Sequence, residues 1–153
     1  MNSAEPARSP SLSTSRKVLC AIYALIAVAA LVVTWSQTVA YVHSGLIDFF
    51  VNFWRDAKVT PASRNITVDI LMFGLSAAVL MVVEARKYNV RLVWAYIFGG
   101  FLVAVSVTFP LFLIARELRM GSSEAPRVHS SDAIGLGVLA LALLALTIWV
   151  DFG

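Results

Sequence analysis

Asp69 and Glu84 are carboxylates within one long apolar stretch, and Arg116 lies within a second. An ionisable side chain at the centre of a hydrocarbon layer costs about 2.5 to 3.5 kcal/mol on insertion scales, so each of these groups needs a partner or water. Two kinds of chemistry follow. A carboxyl buried away from cations stays protonated and can serve as a general acid, whereas one in contact with a guanidinium forms an ion pair that builds structure or binds a polar headgroup. Asp69 and Glu84 are fifteen residues apart, which on one helix turns them by only about 60° but separates them by roughly 22 Å along the axis. That distance excludes a paired-carboxylate mechanism using these two groups.

The elements that position them are transmembrane helices. Of the 153 residues, 59% are hydrophobic and 14% charged, and the mean hydropathy is +0.82. This lies outside the range of soluble domains. A span needs about 20 mostly apolar residues, and four segments qualify, at about 18–36, 62–86, 91–116 and 132–151. Their unbroken Leu, Ala and Val runs exclude a β-barrel, whose strands alternate. The fold expected is an all-α membrane protein, a four-transmembrane-helix bundle forming a single domain over residues 18–153.

Residues 1–17 are rich in Ser, Ala and Pro without apolar periodicity, and read as a disordered tail. Ala27-Val28-Ala29 resembles a signal-peptide cleavage site, but the apolar run continues to Trp35, as a span ending in an interfacial aromatic does. Between the first two spans, Ser44–Ala57 reads as a short amphipathic interfacial helix. Asp48, Asn52 and Arg55 share one face, and Ile47, Phe50, Val51 and Trp54 occupy much of the rest. Thr60-Pro61 marks the start of the second span. Gly74 with Ala78, and Gly100 with Ala104, are small-residue pairs that permit close helix packing within the chain and also allow oligomerisation. Pro110 is expected to kink the third span.

In an antiparallel hairpin of the second and third spans, Arg116 returns to the level of Asp69, and Arg91 lies at the level of Glu84. The expected pairs are therefore Asp69 with Arg116, and Glu84 with Arg86 or Arg91. As structural ion pairs, they fix the register of the hairpin. As a polar site, Asp69, Arg116, Asn65 and Asn52 frame a pocket for a headgroup, with Glu84 and Arg91 at the other end. The single cysteine, Cys20, has no metal-ligand spacing around it, His43 and His129 lie in loops, and no nucleotide-binding glycine loop or nucleophile elbow occurs. The sequence implies no cofactor and no metal.

The net charge of +3 comes from basic residues in loops beside spans, which points to a lipid bilayer and not to nucleic acid. Four spans divide these residues evenly, with Arg8, Arg16, Lys17, Arg86, Lys87 and Arg91 on one side and Arg55, Lys58, Arg64, Arg116, Arg119 and Arg127 on the other. The basic pair abutting the first span and the short basic turn at 86–91 favour both termini in the cytoplasm.

Phe49-Phe50 leading to Asn52, then Asp69, Glu84-Ala85-Arg86, Trp94, and Pro110-Leu111-Phe112-Leu113 leading to Arg116-Glu117 resemble family 2834 of the domains of unknown function. Ile70 stands where that family usually carries leucine. The resemblance covers about Phe49–Arg119 and implies a small, four-helix bacterial inner-membrane protein, without an activity, cofactor or catalytic residue to carry over.

The leading functional reading is a non-enzymatic integral membrane protein that binds a lipid, isoprenoid or other amphipathic small molecule, or a membrane partner. A small isomerase or cyclase acting on such a substrate, with Asp69 or Glu84 as general acid, is the alternative. A transporter subunit ranks last, since one hairpin with two distant carboxylates supplies no continuous polar path.

Overall fold

The computed structural model describes residues 13–120 and 130–152. The chain divides into two compact units, Met1–Ser122 and Ser123–Gly153. Residues 1–12 and 121–129, the latter with Pro126, Arg127 and His129, lie outside the described residues. The described residues are helical, with no strand.

In the first unit, α1 (Thr14–Thr38) runs into a 3₁₀ turn, Val39–Ser44, and the amphipathic helix α2 (Leu46–Asp56) follows. The helix thus takes in Thr14–Lys17, which composition alone assigns to the tail. Tyr41 in the turn stacks edge-on against Phe49 and Phe53 of α2 and donates a hydrogen bond to Asp56 at 3.0 Å. The second long helix, α3 (Pro61–Tyr88), begins where Thr60-Pro61 predicts. Thr60 and Ser63 exchange hydrogen bonds between side chain and backbone, each at 3.0 Å, and close a capping box. Its far end closes on Asn89, whose φ of 53° is the left-handed cap that asparagine tolerates.

Where one continuous third span was expected, the chain forms two shorter helices, α4 (Val93–Leu102) and α5 (Val105–Arg119), with a break at Val103–Ala104. At 1.5 Å per residue α4 is roughly 15 Å long, half the thickness of a bilayer core. The two helices fold back on each other. Thr108 lies beside Gly99 and Gly100, Tyr96 meets Phe112 with ring centroids 5.8 Å apart, and Arg116 lies over Tyr88 at 5.1 Å. These contacts step backward along one segment as they step forward along the other, which is an antiparallel hairpin. The break falls six residues before Pro110, and α5 continues through the proline. Gly99 and Gly100, in the last turn of α4 just before the break, weaken the helix there and let α5 approach.

A Cβ at Gly100 would stand 3.0 Å from Thr108 Oγ1 and 3.5 Å from Val105 Cα. Gly100→Val is therefore expected to destabilise the unit by about 2 kcal/mol through overpacking, measured by denaturation in detergent. Gly74→Val is expected to fold as the parent does, because nothing lies within 4 Å of the corresponding Cβ position. The packing contact expected for Gly74 is thus not made among the described residues of this unit.

α5 is the buried centre, packed by α1, α3 and α4. Phe112 is fully enclosed with Met81, Ala85, Val90 and Val93. α1 and α3 leave most of their apolar surface open, including Leu25, Val32, Phe73 and Val79. Surface of that extent is suited to lipid, where van der Waals packing and not water exclusion holds helices together. The second unit contributes α6 (Ser130–Phe152), a single apolar helix. Three helices, α1, α3 and α6, are long and apolar enough to cross a membrane, and α4 is not.

Candidate functional site

The end of α5 carries Arg116 and Glu117 next to each other, and a helix turns 100° per residue, so they face different neighbours. Arg116 faces α3, where its Nε binds Glu84 Oε2. Its Nη1 also donates to Glu117 Oε1 at 3.1 Å. Glu117 faces α1, where Arg16 Nε lies 3.4 Å from Glu117 Oε2. Arg16 Nη2 then donates to the Met120 carbonyl at 2.9 Å and so closes the C-terminal end of α5 with a cation, as the helix dipole favours.

Two arginines and two glutamates thus form a chain from α1 through α5 to α3, with no net charge. Glu117 is fully buried and Arg16 is 3% exposed, whereas the Glu84 and Arg116 side chains are about a fifth open. Arg16 Nε and Glu117 Oε2 make no hydrogen bond, so their attraction is Coulombic. Pairing offsets the desolvation of each buried charge, and the geometry fixes which helices meet.

This arrangement replaces both expected pairs. Arg116 binds Glu84, not Asp69, because α5 turns back halfway and returns its C-terminus to the same end of α3 as Glu84. Arg86 lies about 200° around the helix from Glu84. Arg86 and Arg91 are both exposed and are in no ion pair among the described residues. Asp69 and Asn65 are exposed on α3, and Asn52 is half-buried on α2. Asp69 likewise makes no ion pair among the described residues. Arg116 and Asp69 therefore do not share a pocket.

Arg16 and Glu117 are not among the candidates that the sequence singles out. Arg16 beside an apolar run has the look of an ordinary flanking cation. Yet Arg16, Cys20, Tyr23 and Ala27 recur at i, i+4, i+7 and i+11, and they form the covered stripe of α1. Beginning the helix at Thr14 places Arg16 on that stripe.

At the opposite end of α3 a groove of about 280 Å³ is lined by Trp54, Ala57, Lys58, Arg64, Thr67 and Val68. Its walls are pinned to each other. Thr67 Oγ1 donates to the carbonyls of Ser63 at 2.7 Å and Ala57 at 3.2 Å, and Arg64 Nη1 donates to the Lys58 carbonyl at 3.0 Å. Arg64 and Glu84 are twenty residues apart on α3, roughly 30 Å, so groove and ion chain occupy opposite ends of the unit. Among the described residues no three His, Cys, Asp or Glu side chains cluster as metal ligands.

No curated protein and no solved structure matches the chain. Residues 22–118 match the family described as Protein of unknown function DUF2834, and that segment holds nearly all of α5, the groove and three members of the ion chain. The match covers well over half of the sequence and includes the residues on which the resemblance rests, and the chain belongs to this family.

Proposed function

We propose that the protein is a non-catalytic, multi-pass protein of the bacterial inner membrane that binds an amphipathic, lipid-like molecule. The groove between α2 and α3 carries this reading. It combines apolar walls from Trp54, Ala57 and Val68 with cationic side chains at the height where the surface helix α2 meets the start of a spanning helix. A molecule with an apolar tail and a polar head has complementary chemistry there. The enzyme reading needs a carboxyl free to give a proton inside a cavity. Glu84 and Glu117 are instead engaged by guanidinium groups, and Asp69 does not line the groove.

In the first unit α1 and α3 cross the membrane, and the α4–α5 hairpin enters from one face and returns to it. The face holding the ion chain then carries Arg16, Lys17, Arg86, Lys87, Arg91, Arg116 and Arg119, and the other face carries Arg55, Lys58 and Arg64. Over these ten described residues, the even five-to-five division of a four-span reading becomes seven against three. The excess of Lys and Arg makes the ion-chain face cytoplasmic.

Val68→Trp, which fills the groove from its apolar wall, tests the binding reading. Unbiased mass spectrometry of small molecules that co-purify with the detergent-extracted protein is expected to find an amphiphile on the parent that drops at least tenfold on the variant, with helix content unchanged by circular dichroism. An unchanged profile would refute ligand binding at the groove.

A further inference from the structure

We propose that Lys58 and Arg64 make the groove selective for an acidic phospholipid of the surrounding leaflet, holding its headgroup phosphate while Trp54, Ala57 and Val68 line the path of an acyl chain. This deepens the binding reading above and rests on it. Two observations carry it. Neither cation is neutralised: among the described residues the only ion pair near the groove joins Arg55 to Asp56 at 3.5 Å, and Asp56 also accepts the Tyr41 hydroxyl. The second observation is placement. The face poor in basic residues has all three of its described cations within ten positions, at 55, 58 and 64, and two of those line the groove. Cations beside lipid that have no carboxylate partner attract anionic headgroups, and Arg offers a planar fork of donors suited to phosphate oxygens.

The groove is also preformed. Thr67 and Arg64 tie the α2–α3 connection to the first turns of α3, so the backbone that carries Lys58 and the turn that carries Arg64 border the same apolar slot. The indole of Trp54 is 44% exposed at its rim, as expected of an aromatic seated at headgroup level. A phosphodiester with a net negative charge, such as phosphatidylglycerol, satisfies both cations, whereas the choline of phosphatidylcholine brings a positive charge back beside them.

The test uses the full chain in a neutral detergent, offered equal amounts of phosphatidylglycerol and phosphatidylcholine, with bound lipid read by native mass spectrometry. The parent is expected to retain phosphatidylglycerol over phosphatidylcholine by roughly thirtyfold, the scale set by two basic residues near a headgroup. The Lys58→Gln, Arg64→Gln double variant is expected to lose that preference, and Lys58→Gln alone, which leaves the tie from Arg64 to the Lys58 carbonyl in place, is expected to lose part of it while keeping phosphatidylcholine. A control pair on the opposite face, Lys17→Gln with Arg91→Gln, is expected to keep it. No preference in the parent, a preference surviving in the groove variant, or equal loss in the control pair would each overturn the phosphate anchor. The two readings fail separately: if Val68→Trp strips both lipids but Lys58→Gln, Arg64→Gln leaves selectivity intact, the amphiphile groove stands without its phosphate anchor. If both lipids survive Val68→Trp, the groove itself is refuted.

Discussion

Arg16→Met is expected to destabilise the first unit by about 3 to 5 kcal/mol, the range found when one partner of a buried ion pair is removed. The substitution leaves the fully buried Glu117 with Arg116 as its remaining cation and takes the donor from the Met120 carbonyl. Denaturation followed by circular dichroism in detergent reads the effect. Glu117→Gln in the Arg16→Met background is expected to recover part of it, because the uncompensated negative charge is then gone. Arg16→Lys is expected to recover less than half, since one ammonium cannot reproduce both the Nε contact with Glu117 and the Nη2 bond to Met120. Lys17→Met, one residue away and exposed, is expected to change stability by less than about 0.5 kcal/mol. An Arg16→Met loss no larger than that of Lys17→Met would remove the ion chain as a structural element.

The second large effect is all-or-none and concerns where the chain crosses. Arg16 binds the Met120 carbonyl at 2.9 Å, a contact that residues on opposite faces of a roughly 30 Å hydrocarbon layer cannot make. In a Cys20→Ala background, single cysteines replacing Arg91 and Arg119 are expected to react with a membrane-impermeant maleimide from the same face. A cysteine replacing Lys58 is expected to react only from the other face. A continuous third span would put position 119 on the face of position 58. Labelling of Arg119→Cys from that side would refute the re-entrant hairpin, and with it the count of seven basic residues against three.

Local chemistry is enough to read much of this protein from its sequence. Unbroken apolar runs identify α1, α3 and α6 because a helix facing lipid needs no polar face. Thr60-Pro61 locates the start of α3 because capping involves only neighbouring residues. The alternation of Asp48, Asn52 and Arg55 with aromatic residues identifies α2 for the same reason. The fold-back of α5 on α4 was not legible. Hydropathy cannot separate one span over 91–116 from two helices that fold back, since both are made of the same apolar residues and hydropathy reads composition, not contacts. The decision lies with Gly99 and Gly100, whose missing Cβ atoms admit Thr108.

The partners of Arg116 were decided by that turn. In a straight hairpin Arg116 reaches Asp69, and in the folded one it reaches Glu84, fifteen residues away on the same helix. Nor could Arg16 and Glu117, 101 positions apart, be matched from sequence. Charge and spacing reveal which side chains cannot be left alone in a membrane, because desolvation acts on each residue by itself. Which cation meets which carboxylate depends on where the chain turns back, and only the tertiary structure contains that.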